Sequence, residues 1–267
     1  MAVSVASRSK RYKERTMAKM AMVINLKKCA GCGACGIACK TENNTRDRKD
    51  GQSYNWADFI FKMDGKFPDL KFATYPVLCN HCTNAACVDA CPVTPKAMFK
   101  TKDGITMHND ERCIGCRSCQ DACPYSVMDQ REGGDYSVIS FNSDEAAPFE
   151  YYRDKTELIP GCTSSGAEIA AKAGATPPMM TAYMHPEYDN VRREGIVEKC
   201  ILCSHRLADC KEPYCVETCP SGARIVGDID DPNSKVSILL KTYESEVLQP
   251  EKGTKPNVYY IRNYNMK

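Results

Sequence analysis

The stretch Cys113-Ile-Gly-Cys116-Arg-Ser-Cys119-Gln-Asp-Ala-Cys123-Pro124 decides how the rest of the sequence is interpreted. Its spacing is typical of a [4Fe–4S] site, in which the first three thiolates hold one cluster and the fourth ligates a neighbouring cluster. Pro124 lacks a backbone N–H, so a regular helix does not continue unbroken past the last ligand. One such run is therefore half of a two-cluster module, and the other half must lie elsewhere in the chain.

Sixteen of the eighteen cysteines fall into four groups of four. Each group predicts a cysteine loop and a short helix, and proline and a short strand follow the last three groups, so the groups form an internal repeat. The four groups are Cys29, Cys32, Cys35 and Cys39; Cys79, Cys82, Cys87 and Cys91; Cys113, Cys116, Cys119 and Cys123; and Cys200, Cys203, Cys215 and Cys219.

Two cysteines are left over. Cys210 lies inside the loop of the fourth group, but Cys215 keeps the short step to Cys219-Pro220, so we expect Cys215 to be the ligand. Cys162 lies in a proline-rich segment and is interpreted as a bystander thiol.

Disulfides and zinc are the structural alternatives to iron–sulfur clusters. A disulfide framework would spread the cysteines more evenly, and zinc sites also use paired Cys-x2-Cys units. Zinc does not require a third thiol at the same short step, as at Cys35 and Cys119, or the Cys-Pro ending. Sixteen thiolates then make four complete [4Fe–4S] sites.

Spacing alone leaves two ways to pair the groups. The second and third groups are near neighbours, so they can form one module that is inserted within a module made from the first and fourth. The rival pairs the first group with the second and the third with the fourth. Nested pairing gives a first set of Cys29, Cys32, Cys35 and Cys219; a second set of Cys79, Cys82, Cys87 and Cys123; a third set of Cys91, Cys113, Cys116 and Cys119; and a fourth set of Cys39, Cys200, Cys203 and Cys215.

The remaining sequence predicts short elements around these loops. We expect a strand at 21–28, a strand or hairpin around Trp56 to Phe61, and a hairpin at 100–108 that turns at Asp103-Gly104. Strands are also predicted after the proline of each of the last three groups, at 97–99, 127–128 and 223–226, and at 258–261. A short helix is predicted at 167–173, within a loop-rich insertion.

Charge and hydropathy exclude several classes of protein. The net charge of +2 indicates no strongly polyanionic partner, so no nucleic acid is expected. No apolar run approaches the roughly 18 residues of a membrane span, so we expect no direct membrane insertion. Residues 1–20 are basic and lack the apolar core of a secretory signal. No catalytic constellation is recognised, and the histidines, including His81, are interpreted as structural or surface residues.

Five cations flank the predicted ligands. A cation beside a cluster stabilises its more negative reduced form and raises its potential. The alternative is that each is an ordinary exposed charge. These cations are Lys28, Lys40, Arg112, Arg117 and Lys199.

From about Val23 to Ile261 the chain resembles the four-cluster electron-transfer (beta) subunits of molybdopterin oxidoreductases of the dimethyl-sulfoxide-reductase superfamily. All four cysteine groups agree in order and spacing. Residues 39–45, 78–82, 227–232 and 259–262 look like the small subunits of respiratory arsenate reductases. Subunits of polysulfide or thiosulfate reductases and of aromatic transhydroxylases are also similar. Cys210 departs from this pattern, because relatives often carry a small or polar residue there.

The resemblance implies an α+β fold with two ferredoxin-like 2[4Fe–4S] modules, one nested in the other, and it favours the nested ligand sets. The length and proline content of the insertion predict a loop-rich segment for subunit docking, and Pro250, Gly253 and Pro256 predict an extended C-terminal tail. The expected regions are a basic arm at 1–20, module A at 21–72 and 196–236, module B at 73–128, the insertion at 129–195 and the tail at 237–267.

The implied function is electron relay through four [4Fe–4S] clusters, without an active site in this chain. The expected partners are a large catalytic subunit with a molybdenum or tungsten bis-pterin centre and a quinol-oxidising membrane subunit, a cytochrome or a soluble carrier. The alternative is a free-standing polyferredoxin. We expect a cytoplasmic location, or export together with a partner that carries a twin-arginine signal.

Overall fold

The computed structural model describes residues 19–43, 45, 53–126, 136–142, 155–157, 159–172, 184–185, 188–189 and 195–263. Most of the predicted basic arm, the strand predicted at 127–128 and much of the insertion lie outside these residues. Within the described ranges, no helix is both long enough and apolar enough to cross a bilayer.

The elements are short, as the repeated cysteine loops predict. The strands are β1 Met20–Asn25, β2 Ala57–Asp64, β3 Lys71–Leu78, β4 Met98–Lys100, β5 Thr106–His108, β6 Ile139–Phe141, β7 Met184–His185, β8 Tyr188–Asp189, β9 Val197–Lys199, β10 Arg224–Asp228, β11 Ser245–Glu246 and β12 Val258–Ile261. The helices are α1 Ala34–Asn43, α2 Ala86–Asp89, α3 Ser118–Ala122, α4 Gly166–Lys172, α5 Ser204–Ala208, α6 Tyr214–Glu217 and α7 Lys235–Thr242.

A four-stranded sheet joins distant parts of the chain in the order β10-β1-β12-β11. Strand β1 has a neighbouring strand on each side, both from later segments of the chain, and all six of its residues are buried. Val23 pairs with Ile225 of β10 in the antiparallel direction and with Tyr259 of β12 in the parallel direction. The strands predicted after the fourth cysteine group and near the C-terminus are confirmed.

Two predicted hairpins are also confirmed. Strands β2 and β3 pair antiparallel along their whole length, from Ala57 opposite Leu78 to Asp64 opposite Lys71. Strands β4 and β5 pair between the second and third cysteine groups. Their turn contains Gly104 at φ +79°, a left-handed conformation that glycine adopts without a side-chain penalty.

The helices of the cysteine groups pack in two pairs. Helix α1 of the first group contacts α6 of the fourth group, and α2 of the second group contacts α3 of the third. These contacts, like the pairing of β1 with β10, support the nested arrangement.

The C-terminal tail is not extended throughout. Residues 235–242 form helix α7, which begins where the Ser234 side chain accepts a hydrogen bond from the backbone N–H of Ser237. Serine at this position satisfies one of the free N–H groups of a helix start. The helix lies against β10 and β1 and buries Val236, so packing decides its conformation.

The described parts of the insertion connect it to the body. Strand β6 pairs antiparallel with β9, which leads directly into the fourth cysteine group. The helix predicted at 167–173 is confirmed as α4, at Gly166–Lys172.

Candidate iron–sulfur sites

Each cysteine group has the same local structure. The first two cysteines lie on a loop and the third lies in a short helix. The loops need left-handed residues to turn tightly, as at Gly115 with φ +68°. A Cβ atom on Gly115 would overlap the carbonyl oxygen of Gly195, so a larger residue does not fit there.

The second set lines one cavity. Cys79, Cys82, Cys87 and Cys123 line it together with apolar side chains and Lys199. Burial and the neighbouring Cys79 thiolate raise the pKa of Cys82 to about 11.

The third set lines another cavity. Its lining includes Cys91, Cys113, Cys116 and Cys119. Burial, followed by the nearby Cys113, Cys116 and Cys91 thiolates, raises the pKa of Cys119 to about 12. The four thiols are therefore close enough to influence each other's ionisation.

Three cysteines of the first set lie close together. Burial raises the pKa of Cys29, and the thiolates of Cys35 and Cys219 raise it further. The backbone N–H of Gly31 opposes this by stabilising the Cys29 thiolate.

The fourth set is the most enclosed, since all four of its cysteines are buried. Burial raises the pKa of Cys39 well above its usual value, and the Cys203, Cys200 and Cys215 thiolates add to the shift. The two leftover thiols, Cys162 and Cys210, are exposed.

This donor set fits [4Fe–4S] clusters. A single zinc ion requires four sulfurs about 2.3 Å from one point. Within the described residues, no group of three or more Cys, His, Asp or Glu side chains is placed to hold one metal ion, whereas the four thiols of the second set and those of the third set each line a common cavity. Bound thiols must be deprotonated, and burial opposes ionisation of most of them, so cluster assembly must release protons from these cysteines.

Comparison with known proteins also indicates [4Fe–4S] clusters. The chain matches the family described as "4Fe-4S dicluster domain" over residues 70–170 and 180–229. It is 43% identical to the arsenate respiratory reductase iron–sulfur subunit of Shewanella sp. (strain ANA-3), over 93% of this chain and 98% of that protein. It is 33% identical to an iron–sulfur subunit of Halobacterium salinarum that is named for dimethyl sulfoxide reductase (92% and 79%), and 30% identical to a tetrathionate reductase subunit of Salmonella typhimurium (91% and 72%). The chain belongs to this family of iron–sulfur electron-transfer subunits.

Side chains of this iron–sulfur subunit donate hydrogen bonds to the thiols. The Asn43 amide nitrogen lies 3.4 Å from the sulfur of Cys39 and 3.9 Å from that of Cys203. His81 Nε2 lies 3.7 Å from the sulfur of Cys200. Hydrogen bonds to cluster sulfurs are one of the ways in which a protein sets a cluster's potential.

His108 lies beside the third set. Its Nδ1 lies 2.7 Å from an Asp110 carboxylate oxygen, and the ring lines the third cavity next to Cys113. Burial opposes protonation, but the hydrogen bond with Asp110 and the negative charges of Asp110 and Cys113 outweigh it and raise the pKa of His108 to about 9. A carboxylate that orients a histidine beside a ligand is a common arrangement around metal sites.

Two buried cations each lie near cysteines of two different ligand sets. Arg224 is 3% exposed, and its two terminal guanidinium nitrogens have no hydrogen-bond partner in the described part of the chain. Burial opposes its charge, but the Cys215 and Cys35 thiolates outweigh this and raise the pKa of Arg224. Lys199 is 1% exposed and donates to the carbonyl oxygens of Thr106, at 2.5 Å, and Cys200, at 2.6 Å.

The sequence interpretation identified Lys199 as a flanking cation and missed Arg224. Lys28, Arg112 and Arg117 are exposed. The signal for Arg224 was a charged residue inside an otherwise apolar strand that follows Cys219-Pro220. His81 and His108, interpreted from sequence as structural or surface residues, are buried beside thiols.

Proposed function

We propose that this chain relays electrons through four [4Fe–4S] clusters between a redox carrier and the molybdenum or tungsten bis-pterin subunit of an oxidoreductase. Iron–sulfur electron transfer follows from family membership. Beyond this, we propose the number of clusters, their ligands and the partners. When bound, each cluster would take up and release one electron. The chain's own residues hold the clusters in place, exclude water and set their potentials.

The nested ligand sets are part of this proposal. Their support is that the second and third sets each line a common cavity, that Cys39 is influenced by the other three thiolates of the fourth set, and that Cys29 is influenced by Cys35 and Cys219 of the first. The packing of α1 on α6 and of α2 on α3 supports the same pairing.

The observation that carries the relay is the order of the sets. After burial, the neighbouring thiolates that raise the pKa of Cys215 include Cys35, which supports a position of the fourth set beside the first. Burial and then the Cys79 thiolate raise the pKa of Cys200, so the fourth set also adjoins the second. The Cys119 thiolate likewise adds to the raised pKa of Cys87, which supports a position of the second set beside the third. The spatial order of the four cysteine sets is therefore first, fourth, second, third.

Both ends of this order reach the surface. Cys32 of the first set and Cys116 of the third set are exposed, whereas no cysteine of the second or fourth set is. Exposed apolar side chains accompany both ends: Ile37 and Phe72 near the first set and Ile114 within the third loop. Phe72 stacks on the exposed ring of Phe61 with the ring centroids 5.7 Å apart, and contiguous exposed apolar surface marks protein–protein contact sites. We infer that one end meets the catalytic subunit and the other end meets the electron carrier.

The test is anaerobic purification with metal and sulfide analysis. We expect roughly 16 iron and 16 sulfide per chain, and co-purification with a large subunit that contains a pterin and molybdenum or tungsten. Purification alone with full iron content would favour a free polyferredoxin. Zinc in place of iron would overturn the proposal.

We expect this chain to share the compartment of its catalytic partner subunit. Some of the similar proteins are subunits of respiratory reductases by name. A twin-arginine signal on the co-purifying subunit predicts export of the folded complex, and its absence predicts a cytoplasmic complex. Fractionation of cells that express both subunits distinguishes the two.

A further inference from the structure

The backbone of His81 belongs to the loop of the second set. It lies between Cys79 and Cys82, and its own N–H points at the sulfur of Cys79 over 3.5 Å. Its carbonyl oxygen accepts hydrogen bonds from Asn257 Nδ2 at 2.7 Å and Lys100 Nζ at 3.1 Å. The residue has φ +43° and is 2% exposed, so its position is fixed on all sides.

The imidazole of His81 reaches out of that loop. Its Nδ1 accepts a hydrogen bond from the backbone N–H of Thr106 at 3.2 Å. A backbone amide nitrogen can only donate, so Nδ1 carries no proton and the neutral ring must carry its proton on Nε2. Nε2 is the atom that lies 3.7 Å from the sulfur of Cys200, a member of the fourth set.

We propose that His81 is a fixed N–H donor to the Cys200 sulfur, through which the loop of the second set tunes the potential of the fourth site. This inference rests on the proposed function. Reduction adds negative charge to the cluster and its ligands, and an N–H donor stabilises that charge. Removing the donor therefore lowers the potential of the fourth site.

The bond also links neighbouring sites in the relay. The main chain runs from the second set's Cys79 and Cys82 to His81, whose ring ends at the fourth set's Cys200. Between these two sites there is thus a path of covalent bonds interrupted by one hydrogen bond. His81 acts on the reaction through Cys200, so it is a positioning residue.

The test compares His81→Leu with His81→Gln in the whole purified complex. Both replacements share the cost of the left-handed backbone, but only glutamine offers an N–H near the Nε2 position. His205→Leu is the matched control, because His205 follows the fourth group's Cys203 while its Nε2 faces Glu42 Oε1 at 2.7 Å. Cys203→Ala identifies which spectroscopic signals belong to the fourth site.

Midpoint potentials are measured by redox titration with electron paramagnetic resonance detection. We expect His81→Leu to keep full iron content and to lower the fourth site's reduced-to-oxidised ratio about tenfold at fixed ambient potential, about 59 mV for one electron. His81→Gln should restore much of the fourth site's original potential, and His205→Leu should leave that potential unchanged. A fully loaded His81→Leu protein with an unchanged fourth-site potential would overturn the inference while leaving the proposed function intact. Wild-type protein without iron would instead overturn the proposed function.

Discussion

The two inner sites and the two outer sites are built differently. The fourth and second sets have no exposed cysteine, and Lys199 and His81 lie between them. The first and third sets each expose one cysteine, and exposed isoleucines lie beside them: Ile37 is 67% exposed and Ile114 is 64% exposed.

This difference separates two tasks of an electron relay. Buried charges and fixed donors act strongly because little water screens them, so the protein can set potentials at the inner sites and on the buried sides of the outer sites. Solvent screens charges at the outer sites, where accessibility and apolar surface serve contact with partners. The comparison assigns tuning to the interior and docking to the ends, and three predictions test it.

The largest expected effect is loss of a whole outer site. Cys219 lies far along the chain from the other members of the first set, yet its thiolate influences Cys29. We expect Cys219→Ala to damage or remove the cluster held by Cys29, Cys32 and Cys35, costing up to about four of the roughly 16 irons. Iron analysis and electron paramagnetic resonance measure this.

Cys210→Ala is the matched control, since Cys210 lies within the loop of the fourth group but is an exposed thiol outside the ligand sets. It should keep all the iron and every signal. Under the rival sequential pairing, Cys219→Ala would instead remove the cluster held by Cys113, Cys116 and Cys119. Loss of that signal with the first site intact would rule out nested pairing.

A smaller effect is expected from the buried cation Arg224. Its charge lies beside Cys215 and Cys35, one from each of two neighbouring sets. We expect Arg224→Gln to lower the potentials of the first and fourth sites together, because a cation stabilises the reduced cluster. Redox titration checks this, and Arg224→Lys, which keeps the charge, should recover part of the shift.

Lys28→Gln is the control for Arg224→Gln. Lys28 directly precedes Cys29 but is exposed, so solvent and salt should screen its charge. We expect little change in the first site's potential. Equal shifts in the two variants would contradict the assignment of tuning to buried charges.

Local patterns were enough to predict most elements of this fold. Cysteine spacing identified the loops, the Asp103-Gly104 turn identified the β4–β5 hairpin, alternating apolar residues indicated a strand or hairpin where β2 lies, and aromatic residues indicated the strand β12. The tail helix α7 was missed because proline and glycine farther along the tail suggested extended chain, whereas the Ser234 cap and the packing of Val236 decide its conformation.

The chemistry around the ligands was less predictable. Spacing shows which cysteines can bind iron, but not which side chains from other loops approach them. Arg224 and His81 act across sequence separations that only the folded chain closes: His81 meets Cys200, and Arg224 meets Cys35. Among the flanking cations, sequence could not separate buried Lys199 from exposed Lys28.

The smallest effect is expected from single substitutions at the two docking ends. Phe72 is 58% exposed on the β2–β3 hairpin, which packs beside the first cysteine loop through Thr74 and Gly31. We expect Phe72→Ser and Ile114→Ser each to weaken binding of one partner by up to about tenfold, or about 1.4 kcal/mol, and not of the same partner. Binding of the purified subunits measures this, with all clusters retained. Ile238→Ser on α7 is the control, and equal weakening by all three variants would show that exposed apolar area alone, rather than position at an end, determines docking.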